Sequence, residues 1–183
     1  MKSYIEGVRD PSLRLDPRLT SVVEWLRQRR RLQAQDRRSA RLAELHHIQA
    51  LVKTAEGIVS TGWTQGTWYA AVDERGHRRA VDPPFARACL VGAIVHAAGG
   101  PAAVRSQLTG RTLDLTWHAL FRAADQPRQT CPPPAVRQAR VRDLTQWNDS
   151  PARRVEDVLE LLRTTRMAAA AQASRLQREA VSG

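Results

Sequence analysis

Apolar residues recur at helical spacing along most of the chain, with polar residues between them. The clearest stripe alternates steps of three and four residues and consists of Leu45, Ile48, Val52, Ala55 and Val59. This spacing predicts an amphipathic helix that buries one face and ends near Gly62. A separate, earlier helix is expected to begin near Thr20 and to run into a polar segment.

The segment 84–98 is apolar on nearly all sides, which predicts a helix at the centre of the fold. Asp82 and the two prolines after it resemble a helix start, with a capping side chain and proline in the first turn. Two shorter helices are predicted over 101–109 and 112–124, and Gly110 is expected to separate them.

Four prolines interrupt the pattern over 125–134 and predict a stiff connection that no helix crosses. Apolar positions return over 136–147. The last helix is expected to begin at Asp149 or Ser150, because either side chain can cap it. An alanine-rich tail after residue 166 is expected to extend this helix and to fray.

One stretch departs from helical spacing. Residues 67–72 favour a strand, 73–76 a turn and 77–81 a return strand, so a β-hairpin is predicted near 66–81. The expected fold class is therefore mainly α, a single compact helical domain with a small β-hairpin. The expected divisions are an irregular arm and basic helix over 1–41, a helical core domain over 42–165 and an alanine-rich C-terminal tail over 166–183.

Composition narrows the class of protein. The chain is 42% hydrophobic and 26% charged, close to a globular average. No apolar run is long enough to span a membrane and the N-terminus lacks a secretory signal, so a cytoplasmic protein with no membrane partner is expected. Cys89 and Cys131 have no paired spacing, which indicates neither a disulfide framework nor a zinc site.

The positive charge is concentrated in one segment. The net charge is +11, and arginine supplies nearly all of the basic residues. A GC-rich genome explains arginine in place of lysine but not the net excess. An anionic partner is expected, because guanidinium groups pair with phosphate through two hydrogen bonds and stack on bases. The segment 27–41 contains seven arginines and one acid, Asp36. These arginines are the predicted nucleic-acid-binding residues: Arg27, Arg29, Arg30, Arg31, Arg37, Arg38 and Arg41.

Three short motifs follow one another along the chain: GWTQG at 62–66, CLVGA at 89–93, and WND at 147–149 ahead of VLELL at 158–162. Their combination resembles an actinobacterial family of unknown function over about residues 45–165. The resemblance implies a helix, GWTQG, a short hairpin, a helix with CxxGA, then WND and a final helix. It implies no activity, and the basic helix and alanine-rich tail lie outside it.

Aromatic and amide side chains in these motifs form the second candidate site. Two interpretations stay open: they line a small-ligand pocket, or they pack, bond to loop backbone and cap a helix. The residues concerned are Trp63, Gln65, Trp68, Trp147, Asn148 and Asp149.

Few residues indicate catalysis. Cys89 and His96 share a face of the predicted central helix and, with His118 and Cys131, have the residue types of a nucleophile pair or a metal site. Cys89 lies in an apolar segment where a thiol is expected to be inert, so Cys131 should react instead. Because no phosphate-binding glycine loop, no GxSxG and no zinc-ligand spacing is present, we expect no catalytic residue, metal or cofactor.

The function expected from the sequence is that of a non-catalytic, arginine-rich, nucleic-acid-associated accessory protein. No zinc finger, RNA-recognition signature or helix-turn-helix indicates sequence-specific binding. The alternative is a protein-interaction or assembly module whose helices and Trp25 dock on an acidic protein partner or on a second copy of the chain. An enzyme of unknown reaction is the third hypothesis.

Overall fold

The computed structural model describes residues 17–72, 78–80, 86–121 and 132–181. Four features expected from the sequence lie outside the described residues. They are the arm before residue 17, the hairpin turn, the helix start at Asp82 and most of the proline-rich connection, which includes Cys131.

Helices dominate the described part of the chain. The α-helices are α1 (Pro17–Thr61), α2 (Leu90–Ala97), α3 (Gln107–Phe121), α4 (Pro134–Asn148) and α5 (Val155–Val181). The strands are β1 (Tyr69–Val72), β2 (Arg78–Ala80) and β3 (Arg87–Ala88), and a 3-10 helix spans Pro101–Arg105. The mainly α fold class with a small β-hairpin is confirmed. No helix within the described ranges is both long and apolar enough to cross a membrane.

The chain divides into two compact units, residues 1–40 and 41–183. The second unit contains the hydrophobic core, which includes the whole predicted stripe of α1, each member at most 1% exposed. Leu90 and Ile94 of α2 are fully buried in the same core. In the first unit, the described side chains from residue 24 to residue 37 are all exposed.

The prediction of two helices before Gly62 is wrong, because α1 runs without a break from Pro17 to Thr61. Between Arg18 and Glu56 the sequence contains neither proline nor glycine. Arginine, glutamine, leucine and alanine, which all favour helix, make up most of the polar segment. The segment therefore continues the helix that it was expected to end.

The central helix is shorter than the predicted 84–98, because Arg87 and Ala88 form β3 instead. Strand β3 pairs with β1 in antiparallel register, with Tyr69 opposite Ala88. Cys89 then caps α2, its Sγ accepting a hydrogen bond from the Gly92 backbone N at 3.3 Å.

The predicted hairpin is present as β1 and β2, with Ala70 opposite Ala80. Strand β3 adds to the free edge of β1, so the sheet order is β2-β1-β3. A parallel bridge from Trp63 to Ala88 extends this pairing toward the end of α1. The third strand was not predicted, because two residues are too short to show alternation of polar and apolar positions.

Gly110 does not separate two helices as expected. Instead α3 passes through it, after the 3-10 helix. A Cβ atom at Gly110 would lie 2.8 Å from the guanidinium carbon of Arg137 on α4. The glycine therefore makes room for a side chain of the neighbouring helix.

The prediction that Asp149 or Ser150 begins the last helix is also wrong. The Asp149 backbone N donates to the Thr145 carbonyl at 2.9 Å, so Asp149 ends α4. Helix α5 begins at Val155, six residues later.

The start of α5 is stabilised by a different acid. The Asp157 carboxylate accepts a hydrogen bond from the Arg154 backbone N at 2.9 Å, which satisfies a donor of the first turn. The alanine-rich tail extends the helix to Val181, as expected. Ala169 and Ala173 are buried in the core, so part of this segment is packed.

Candidate functional site

Asn148, the last residue of α4, is fully buried where three chain segments meet. Its Oδ1 accepts hydrogen bonds from Trp63 Nε1 at 2.9 Å and from the Leu90 backbone N at 3.1 Å. Its Nδ2 donates to the Thr64 carbonyl at 3.3 Å and to Asp149 Oδ1 at 2.8 Å. The amide thus makes the four hydrogen bonds of which it is capable and leaves no polar atom for a ligand.

Gln65 and Asp149 join the same two segments on either side of Asn148. Gln65 Nε2 donates to the carbonyls of Asn148 and Ser150, each at 2.9 Å. Asp149 Oδ1 accepts from the Gly66 backbone N at 3.0 Å. These bonds satisfy backbone groups at the end of α4 that have no partner within the helix. We call Trp63, Gln65, Asn148 and Asp149 the polar junction.

Two motif glycines bring backbone segments into direct contact beside the polar junction. A Cβ atom at Gly92 would lie 2.2 Å from the Trp68 carbonyl oxygen, and one at Gly62 would lie 2.4 Å from the Ala86 carbonyl oxygen. The Cys89 backbone N donates to that same Trp68 carbonyl at 3.0 Å. The space that a side chain needs is therefore occupied by backbone.

Trp147 and Trp68, the other two residues of this candidate site, are not part of the polar junction. The Arg153 guanidinium lies 4.0 Å from the centroid of the Trp147 ring, and Arg153 Nε donates to the Trp147 carbonyl at 3.3 Å. The Trp68 side chain is 37% exposed. The structure thus joins four of the six residues in one hydrogen-bonded network, which favours their structural interpretation.

Cys89 lies in surroundings that suppress its reactivity. The residue is 2% exposed, and burial raises the pKa of its thiol from 9.0 to about 11. The His96 ring, considered with Cys89 from the sequence, is in edge contact with Tyr69, their centroids 6.3 Å apart. At neutral pH the thiol is therefore protonated and shielded, whereas nucleophilic attack requires an accessible thiolate.

We expect Cys89 to stay unlabelled when the native protein is treated with a thiol reagent near neutral pH, and to react once the chain is unfolded. A Cys131→Ser variant isolates the Cys89 signal. Because the folded-state pKa is raised, burial of the neutral thiol favours folding below pH 9.0, and this contribution is lost as the pH rises toward about 11. Rapid labelling of the native variant would contradict this assignment.

Sequence reasoning missed a buried charge cluster between α3 and α4. Asp114 accepts hydrogen bonds from Arg140 Nη1 at 2.9 Å and from Arg137 Nη2 at 3.1 Å. The Arg140 guanidinium also lies 4.9 Å from the centroid of the Trp117 ring, whose Nε1 donates to Asp143 at 2.8 Å. The only signal in the sequence was the spacing of Arg137 and Arg140 on one helical face. Because the charges pair with one another, each offsets the cost of burying the other, and removing one partner would leave a buried charge uncompensated.

The predicted nucleic-acid-binding residue Arg41 is paired within the second unit. Its guanidinium and that of Arg111 both donate to the Glu44 carboxylate. Arg41 is half-buried, and the Glu44 carboxylate that it contacts partly neutralises its charge. It is therefore less available to an anionic partner than an unpaired arginine on the surface.

Most of the other predicted nucleic-acid-binding residues share one side of α1. At 3.6 residues per turn they cover about 120° of the helix circumference. All of them except the half-buried Arg38 are exposed. We call this set the arginine face, and it consists of Arg27, Arg30, Arg31, Arg37 and Arg38.

Another side of the same part of α1 carries large apolar residues at the surface. Their exposed fractions range from 42% to 57%. Arg29, the remaining predicted residue, lies on this side, with its guanidinium 5.3 Å from the centroid of the Trp25 ring. We call this set the apolar stripe, and it consists of Val22, Trp25, Leu26 and Leu32.

Among the residues that the structure describes, no three His, Cys, Asp or Glu side chains lie close enough together to hold a metal ion. His118, considered with Cys89 from the sequence, stacks edge-on against Trp117 with centroids 5.2 Å apart.

Comparison with known proteins adds one match. No curated protein and no solved structure matches the chain. A family model described as a family of unknown function, DUF6197, matches residues 43–168, which include all three motifs and the polar junction. About two thirds of the chain lies within this match, so the protein belongs to the family of unknown function DUF6197.

Proposed function

We propose that this protein is a non-catalytic accessory protein that binds nucleic acid through the phosphate backbone. The observation that carries the proposal is the arginine face. Its guanidiniums project from one side of a helix on which Glu24, one turn before Arg27, is the one acid among residues 24–40, since Asp36 lies on the side of the apolar stripe. Closely spaced guanidiniums match a row of phosphates, because each can donate two hydrogen bonds to one phosphate.

Binding of this kind is weakly selective. Contacts with phosphates fix the position of a protein on nucleic acid but carry no sequence information. Sequence-specific contacts come from side chains that reach base edges, and no recognition motif in this chain suggests such contacts. We therefore expect binding to nucleic acid as a class, with no preferred sequence.

The arginine face precedes the family match, which begins at residue 43. The proposed binding is thus a property of this chain, added to a family fold held together by the polar junction. We propose that GWTQG, CxxGA and WND are shared family motifs, because their residues meet in that junction. The compartment in which we expect this binding is the cytoplasm, and the source that the motifs suggest is actinobacterial.

The test is the salt dependence of binding to a labelled DNA duplex, measured by fluorescence anisotropy. If about four phosphates are neutralised, log K should fall against log salt with a slope of about −3.6. Replacing Arg27, Arg30, Arg31 and Arg38 with glutamine should remove most of this slope and weaken binding. Glutamine keeps helix propensity, so α1 should persist.

A matched control loses the same charge elsewhere, at four exposed arginines of the second unit: Arg105, Arg142, Arg154 and Arg175. This control variant should keep most of the affinity and the slope. If both variants lose binding equally, overall charge rather than the arginine face is responsible. If the wild-type protein binds neither DNA nor RNA at low salt, the proposal is wrong.

The second candidate function is a protein-interaction or assembly module. One specific observation favours it, namely the exposure of the apolar stripe, since large apolar side chains grouped on one surface are typical of contact sites. An acidic protein partner and a second copy of the chain are the two candidates for that contact.

A further inference from the structure

The apolar stripe continues along α1 as a patterned face. At 3.6 residues per turn, Arg29, Asp36 and Ala40 lie in line with it, and all three are exposed. Along this face the residues follow in the order Trp25 (large and apolar), Arg29 (cationic), Leu32 (apolar), Asp36 (anionic) and Ala40 (small). We call these five residues the patterned face.

This order is self-complementary when a second identical helix runs in the opposite direction. If two such helices cross near Leu32, Arg29 of one lies opposite Asp36 of the other. Trp25 then lies opposite Ala40, where a small side chain leaves room for the indole. Each contact occurs twice, as a two-fold symmetric interface requires.

We infer that the protein forms an antiparallel homodimer through this face of α1, held by reciprocal Arg29–Asp36 ion pairs and by packing of the apolar stripe. A second copy fits better than an acidic partner, because it offers an opposite charge to both Arg29 and Asp36, whereas an acidic partner would match Arg29 alone. The inference does not rest on nucleic-acid binding, since the arginine face points away from the contact.

Charge limits the strength of this dimer. Residues 24–40 contain six arginines against Glu24 and Asp36, so two copies repel each other over a distance. The contact is about 24 Å long, counted at 1.5 Å per residue from Trp25 to Ala40, and buries less than a standard interface. Salt screens the long-range repulsion more than the two contact pairs. Dimerisation should therefore strengthen with added salt, whereas nucleic-acid binding should weaken.

The first experiment is sedimentation velocity of the nuclease-treated full chain over a wide range of concentration. Arg29→Asp and Asp36→Arg should each weaken the dimer about tenfold, because each places like charges opposite one another at two symmetric positions. The double variant should restore the dimer. In a parallel pair residue 29 would face residue 29, and the double variant would restore nothing. Arg31→Asp, a matched change on the other side of the helix, should not weaken the dimer.

The second experiment compares two glutamines of the same helix in a Cys131→Ser background. Gln33 lies at the edge of the patterned face near the crossing point, whereas Gln35 lies farther from that face around α1. A short bismaleimide should cross-link Gln33→Cys into a covalent dimer much faster than Gln35→Cys.

Three results would overturn the inference. The first is a monomer at every concentration, which would also be the result if the stripe were covered by residues 1–16 of the same chain. The second is a double variant that dimerises no better than the single variants. The third is equal cross-linking at the two glutamine positions.

Discussion

Replacing Asn148 with alanine should destabilise the second unit by about 3–5 kcal/mol. The change leaves the buried donors of Trp63 and Leu90 and the Thr64 carbonyl without their partner, and each unpaired buried group costs about 1–3 kcal/mol. The free energy of unfolding is measured by urea titration with circular dichroism, which reports the helices directly.

Gln146→Ala is the matched control, because it removes an amide from an exposed position of the same helix. This variant should change the stability by less than about 0.5 kcal/mol. If Asn148→Ala were equally harmless and instead abolished a binding activity, the polar junction would be a ligand site rather than a structural one.

The same glycine-to-alanine change should have opposite effects at Gly92 and at Gly57. In α2, the new methyl group would lie 2.2 Å from the Trp68 carbonyl oxygen, and neither backbone segment can move without disturbing the sheet. We expect Gly92→Ala to destabilise the protein by about 3 kcal/mol, since the clash exceeds the gain of about 1 kcal/mol in helix propensity.

Gly57 provides the control. It lies exposed in α1 with no atom within 4 Å of an added Cβ. Gly57→Ala should therefore stabilise the protein by up to about 1 kcal/mol, because alanine restricts the unfolded chain and favours helix. Thermal and urea unfolding of both variants gives the comparison, and a stable Gly92→Ala protein would disprove the close approach to Trp68.

Helical periodicity predicted the parts of the fold that depend on local pattern. The stripe from Leu45 to Val59 is buried as its spacing indicated, because one face of an amphipathic helix must leave water. The hairpin followed from β-favouring residues around a turn. The division into two helices before Gly62 was wrong, because polar residues with high helix propensity continue a helix that packing alone would not require.

The polar junction could not be predicted, because its contacts are not local. Gln65 and Asp149 bond to partners 83 to 85 residues away, and no spacing along the chain encodes such a contact. The side chains of Asn148 and Asp149 can bond to backbone groups either at the end of one helix or at the start of the next, and the sequence does not distinguish the two. The prediction assigned them the more common role, capping of a helix start, and was wrong because they lie at the end of α4.

The charge cluster around Asp114 could not be predicted either, because it also depends on contacts between helices. An isolated acid in a helix is usually solvated, and only the approach of α4 places two arginines against it. The arginine face, by contrast, needs only helical geometry and the positions of its residues. Its binding of nucleic acid stays a prediction.

The polar junction also bears on how fast the chain folds. It closes a loop of more than eighty residues that contains the sheet and the helices α2, α3 and α4. Loop closure on this scale costs entropy before any contact compensates, and chains rich in distant contacts fold more slowly than simple helical bundles. The helices can form early from local interactions, whereas the junction assembles late, when both of its segments are already in place.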